Sequence, residues 1–144
     1  MPKLNLKQAN AIAENSLAKA REMNIKPLCV VVLDDSGNVV CAQREDEASM
    51  FRFDVALGKA WAAVAMSVSS RALANRAKDN PNFFVTLAAT AKGRFLPQPG
   101  AVLIRNSHGE ILGAAGASGA TGDEDEAACA YGIEQAGLTP DASA

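Results

Sequence analysis

The 144-residue chain predicts an α+β protein built on an antiparallel sheet. Two strand–turn–strand signatures lie far apart in the sequence, around Ser36-Gly37 and around Ser107-His108-Gly109, and a long stretch of helical periodicity separates them. One further helix stands before the first hairpin and one after the second. Hairpins join antiparallel neighbours, whereas a doubly wound parallel sheet needs strands that alternate singly with helices. A chain of this length fits one domain, 1–144, whose core runs from about residue 4 to 138.

The elements follow in order. Residues 5–24 place Leu6, Ala9, Ile12, Ala13, Leu17, Ala20 and Met23 near helical spacing, which predicts an amphipathic first helix ending before Pro27. LCVVVLD, the turn DSGN and VVCAQR then read as two β-branched strands, with Gly37 or Asn38 free to take positive φ. From Ser49 the period changes again: Phe53, Ala56, Leu57, Ala60, Trp61, Val64 and Val68 share one helical face, while Val55, Ala62 and Met66 occupy the opposite one. Arg52, Asp54 and Lys59 are the only charges between Phe51 and Val68. A helix apolar nearly all round needs cover on both sides, from the sheet on one and from another helix or a second subunit on the other, so self-association is expected. Short helices over 70–79 and 82–92 come next, divided at Asn80-Pro81. GRFLPQPG connects them to the second hairpin, AVLIRN and EILGAAGAS about the turn SHG. A last helix runs from about Asp123 to Gly137, and 139–144 is expected to be a frayed tail.

Composition narrows the function classes. The net charge is -2 and about half the residues are apolar, so neither a disordered chain nor a basic nucleic-acid surface is indicated. The opening MPKLNLKQANAIAENS lacks the continuous apolar stretch of a signal peptide or membrane span, which makes the cytoplasm the default address. Cys29, Cys41 and Cys129 form no CxxC pair. In the first hairpin Cys41 falls opposite Val32, leaving Cys29 on the other face, so a bridge between them is not expected and all three read as reduced thiols.

The stretch GAAGASGATGDEDEAA, residues 113–128, joins a strand to a helix through glycines at every third position. It does not hold a phosphate. Its spacing is neither GxGxxG nor GxxxxGK[ST], no lysine or arginine follows Gly109, and Asp123, Glu124, Asp125 and Glu126 oppose an anion. Thr121 with Glu124, or Asp123 with Glu126, has capping-box spacing, and the acidic run reads as caps and solvated face ahead of a divalent-cation site. Gly113 and Gly116 with their alanine neighbours leave room for a close approach, either by a ligand along a flat pocket wall or by a packed element.

Five segments taken together resemble one family, the GlcG/HbpS-like or haem-degrading proteins, which include the carboxy-terminal domain of PduO proteins. They are LNLKQANAIAENSLAKARE, VVVLDDSGNVVCAQRED, DVALGKAWAA, LPQPGAVLI and GEILGAAGASGATGDEDEA, and they cover about Leu4 to Leu138 in the family's order. The resemblance implies a profilin-like, five-stranded antiparallel sheet with helices on both faces (α/β/α layers), compact homo-oligomers, and a link to haem or corrinoid binding, glycolate use and catabolic operons. It does not imply one reaction. Haem is the cofactor it suggests, and a small molecule and further copies of the chain are the partners, with no nucleic acid and no membrane.

Chemistry has few carriers. His108, the only histidine, sits in the turn of the second hairpin, where exposed polar residues are ordinary, although a neighbouring subunit could bring a haem to it. No Ser/His/Asp or Cys/His arrangement can be assembled from one turn histidine. The stronger constellation is Arg44, Asp46, Asp54 and Lys59, which match the family's Arg-x-Asp and Asp-x-Ala-x-x-Lys-Ala patterns, with Gly116, Ser118 and Thr121 as ligand-binding partners opposite them. Lys59 shares a helix face with Val55, Ala62 and Met66, so it is either paired with a neighbour's carboxylate at a subunit interface or lines a partly dry pocket. In the pocket reading, Arg44 or Lys59 holds a carboxylate or oxyanion while Asp46 or Asp54 moves a proton. That suits a cofactor-independent isomerase or lyase acting on an anionic oxo- or hydroxy-acid, the alternative to a small-molecule-binding accessory protein. Phe51, Phe53, Trp61, Met50 and Met66 are apolar enough for a cofactor cavity but have the spacing of core and interface.

Overall fold

A computed structural model describes residues 3–144; the first two residues of the polar opening lie outside it. The first helix, α1 (Leu6–Glu22), begins at Asn5, whose side chain accepts from the Gln8 backbone while the Gln8 side chain returns to the Asn5 N–H. This reciprocal cap satisfies two amide donors that the helix itself cannot. The chain continues through β1 (Cys29–Asp34), β2 (Val39–Arg44), α2 (Phe51–Met66), α3 (Ser70–Asp79), α4 (Pro81–Thr90), β3 (Ala101–Arg105), β4 (Ile111–Ser118), α5 (Gly122–Gln135) and β5 (Thr139–Asp141).

The five strands form one antiparallel sheet in the order β2-β1-β4-β3-β5. Period-two alternation splits β1 between two cores. Val30 and Val32 join Ile12, Ala13, Ala128 and Ile133 under α1 and α5, while Cys29, Val31 and Leu33 join Ala56, Ala60 and Ala63 under α2. The predicted α+β architecture and its three layers are therefore present. In the first hairpin Cys41 faces Val32, and the three cysteines are free thiols. Burial pushes the Cys29 thiol to about 11 and raises Cys129 as well, so neither supplies a thiolate near neutral pH.

Of the two covers expected for α2, another helix is the one present, and the expectation for the tail is corrected. The outer side of α2 is covered within the same chain: Ala62 and Met66 pack with Leu73 of α3, Phe84 of α4 and Phe95. A second copy is not required to shelter that face. The tail over 139–144 is not frayed throughout, because Thr139–Asp141 pairs with β3, Arg105 holds Asp141 at 2.9 Å, and Ser69 donates to the Ser143 carbonyl. Pro140 suits a strand with one open side, where a missing N–H leaves no ladder bond unmade.

Trp61 closes the outer layer. Its indole lies against Gly37 in the first hairpin turn, and the Arg94 guanidinium stands 4.5 Å from its ring centre. No helix among the described residues is long and apolar enough to cross a membrane.

Candidate functional site

Arg52, Val55 and Lys59 stand three and then four residues apart on α2, so they form one stripe along the helix. The stripe runs beside the end of β4 and the turn into α5. Between them is a cleft of about 420 Å³, bordered also by Leu96, Pro99, Ser118 and Thr121. Thr121 is fixed as the N-cap of α5, its hydroxyl accepting from the Glu124 backbone and the Glu124 carboxylate accepting from the Thr121 N–H.

Two cations converge on adjoining residues of β4. The Lys59 ammonium donates to the Ala117 carbonyl at 3.1 Å, and Arg52 Nη1 donates to Ser118 Oγ at 3.0 Å. Lys59 also pairs with Asp125 Oδ2 at 3.1 Å, and the other Asp125 oxygen accepts from the Ala120 N–H. Both groups are out of water, with side chains 7% and 1% exposed. Burial pushes the Asp125 carboxyl above its ordinary range, opposed by the charge and hydrogen bond of Lys59. Arg52 has no carboxylate partner among the described residues; its other hydrogen bond is a long one, 3.4 Å to Ser49 Oγ, and its guanidinium stands 5.5 Å from the Phe51 ring centre.

The sequence-derived residues divide. Lys59, Ser118 and Thr121 meet at this cleft. Gly116 is buried beneath α2, where a Cβ would come within 2.6 Å of the Ala56 carbonyl, so its small size serves helix–sheet packing and not a ligand wall. Arg44 and Asp46 border a different hollow with Arg21 and Glu47, and Arg44 donates to the Ala48 carbonyl at 2.6 Å. Asp54 is exposed on α2. His108 is exposed in the β3–β4 turn, at the far end of β4 from the cleft, a strand's length of about 25 Å. The partner of Lys59 is a carboxylate of its own chain.

Arg52 and Asp125 are the members that sequence reasoning passed over. Arg52 stood seven residues before Lys59, on the same face, and that spacing was its signal. Asp125 is in phase with Ala128, Cys129, Gly132 and Ile133, the buried stripe of α5. Its neighbours act differently: Glu124 completes the cap, while Asp123 and Glu126 both pair with Arg71. Among the described residues no three His, Cys, Asp or Glu side chains gather as a metal site.

A family model described as haem degrading protein HbpS-like matches residues 4–134. An uncharacterized 15.0 kDa protein from the dhaT-dhaS intergenic region of Citrobacter freundii is 27% identical over 122 residues, which cover 85% of this chain and 84% of that protein. Among solved structures, a PduOC:heme complex superposes with a TM-score of 0.85 at 20% identity, covering 97% of this chain and 99% of the other. A double mutant of Streptomyces reticuli HbpS superposes with a TM-score of 0.80 at 25% identity, covering 93% and 87%.

Proposed function

Since the chain belongs to the HbpS-like haem-degrading family, we propose that it is a cytoplasmic, homo-oligomeric small-molecule-binding protein, accessory to a catabolic pathway, whose ligand enters the Arg52–Lys59 cleft by a carboxylate. The observation that carries this reading is Arg52, a guanidinium at the cleft held in place by Ser118 and lacking an anionic partner among the described residues. A guanidinium offers five donors in a planar fork suited to a carboxylate, and a serine hydroxyl occupies few of them. The cleft volume lies within the roughly 300–1,000 Å³ usual for small-molecule sites.

For haem the fit is divided. Its carboxylates match Arg52 and Lys59, and Val55, Leu96 and Pro99 offer an apolar wall. Its iron finds no ligand there, because no His, Cys, Met or Tyr borders the cleft among the described residues. Bound haem supplies iron chemistry; the residues of this cleft supply only the grip on its acid groups. An axial ligand has to come from outside the cleft: Met50, 87% exposed at the N-cap of α2, is one exposed side chain suited to it, whereas His108, a strand's length away, could serve only from another copy of the chain.

Titration with haem and with metal-free protoporphyrin tests the reading. Carboxylate-led binding predicts similar affinities for the two, and a loss of about tenfold or more for both in Arg52→Met, since hydrogen bonds to charged groups contribute about 1.5–3 kcal/mol. A Soret band that saturates equally in that variant places the site elsewhere. A flat titration with both turns attention to smaller acids and to the second reading, a cofactor-independent enzyme acting on an anionic oxo- or hydroxy-acid. One feature favours that reading: the water-excluded Lys59–Asp125 pair at the cleft, which puts a proton-carrying group where Asp46 and Asp54 are absent.

A further inference from the structure

The helix α4 is used on one side only. Phe84 enters the outer core with Leu73 and Phe95, whereas Phe83 and Val85 stand open to water. No charged residue occurs between Asp79 and Lys92, so the outward side of α4 lacks the charges of an ordinary solvated face. Cations bracket it. Lys78 precedes the helix and Lys92 follows it, both exposed and both without a carboxylate partner among the described residues, and Asp79 is the one acid between Arg71 and Arg94. A second apolar patch carries the opposite sign. At the start of α2 Met50 and Phe51 are open, and Asp54, four and three residues further on, shares their side of the helix. Asp46 and Glu47 lead into this turn, and all three acids are exposed and unpaired among the described residues. The nearby cations are engaged elsewhere, Arg44 by the Ala48 carbonyl and Arg52 by Ser118. Single apolar side chains on a surface are ordinary, as at Leu6 and Val39; grouped and rimmed by one sign of charge, they mark a contact surface.

We propose that α4 of one copy docks on the start of α2 of a second copy, with Phe83 and Val85 against Met50 and Phe51 and with Lys78 and Lys92 facing Asp46, Glu47 and Asp54. The assignment rests on the homo-oligomer of the proposed function and names the surfaces that build it. Burying the apolar centre supplies the attraction, and opposite charges at the rim fix the register. Self-pairing is disfavoured at both patches, since α4 on α4 opposes lysine to lysine and α2 start on α2 start opposes acid to acid. An anionic membrane would suit α4 alone and repel the acidic patch; a second copy covers both. Each copy carries both patches, so the contact is made twice in a two-fold pair or once per copy around a ring.

Charge reversal in two full-length chains tests the contact. One carries Lys78→Glu and Lys92→Glu, the other Asp46→Lys, Glu47→Lys and Asp54→Lys, all at exposed positions outside the described ion pairs. By size exclusion with light scattering, each variant alone is expected to assemble about tenfold more weakly or worse than wild type. An equimolar mixture is expected to regain the wild-type mass, because only there does each reversed patch meet its opposite. Variants that dissociate alone and stay apart when mixed overturn the assignment. Carbodiimide cross-linking of mixed light and heavy wild-type chains, mapped by mass spectrometry, gives an answer even if a variant fails to fold: links between chains are expected from Lys78 or Lys92 to Asp46, Glu47 or Asp54. A wild-type assembly that neither reversal weakens and that lacks these links removes this contact and leaves the oligomer standing on another surface. A single-chain mass for wild type without links removes both, and sedimentation of that single chain with phosphatidylserine vesicles would assign α4 to a membrane surface instead.

Discussion

At Lys59 and Asp125 two opposite charges lie 3.1 Å apart with almost no access to water. Removing one partner of such a pair leaves the other buried and uncompensated, which typically costs about 3–5 kcal/mol, whereas replacing both with apolar groups is often near neutral. Lys59→Met is therefore expected to lose about 3–5 kcal/mol in urea unfolding at neutral pH, and the double variant Lys59→Met/Asp125→Leu to recover most of it. The pH dependence has a definite sign. Burial raises the Asp125 carboxyl in the folded state, and loss of the opposing Lys59 charge raises it further. A carboxyl raised on folding stabilises fully below its unfolded value of about 3.9, and that contribution is lost as pH rises through the folded value. The Lys59→Met deficit should accordingly be smallest near pH 4 and widen towards neutrality. A deficit independent of pH would mean that Asp125 is not the group left exposed to the loss.

Among the elements, β5 shows how a short strand closes an edge. Its Asp141 is held below the ordinary carboxylate range by the Ser143 hydroxyl first and then by the Ser143 N–H and Arg105. Here the sign is the reverse of Asp125: the stabilisation is complete above the unfolded value and disappears as pH falls through the folded one. Asp141→Asn should therefore lower stability at neutral pH and flatten its acid dependence, measured by denaturant unfolding between about pH 2 and 6. The sequence did not show β5 because three residues containing a proline carry no alternation to detect. It did show both hairpins and α1, α2 and α5, whose turn chemistry, caps and periodicity are local. The five-strand count and layering came from family likeness. The site was half legible: Lys59 on an apolar helix face and Ser118 and Thr121 at a strand–helix junction were visible. Asp125, 66 residues from Lys59, was not, because its pairing exists only once α2 and α5 pack on opposite faces of one sheet. Arg44 and Asp46 failed to join them since the chain bends after β2, with Glu47 at φ 72°, and carries what precedes the bend into another hollow.

For the whole molecule, the proposed assembly no longer depends on the far side of α2, which α3 and α4 already cover. Large apolar side chains remain outward on α4, where Phe83 is 50% and Val85 71% exposed, at the start of α2, where Phe51 and Met50 stand open, and singly at Leu6 and Val39. Light scattering coupled to size exclusion is expected to give a multiple of the single-chain mass; a clean single-chain mass would remove the oligomer from the proposed function. The placement of Trp61 has a practical consequence as well. It is the only tryptophan, and it is wedged between the first hairpin turn and the loop after α4 with a guanidinium stacked on its ring. Its fluorescence therefore reports the docking of the outer helical layer onto the hairpin, so a shift in emission wavelength that precedes the loss of far-ultraviolet ellipticity would register that layer lifting away while the sheet stays intact.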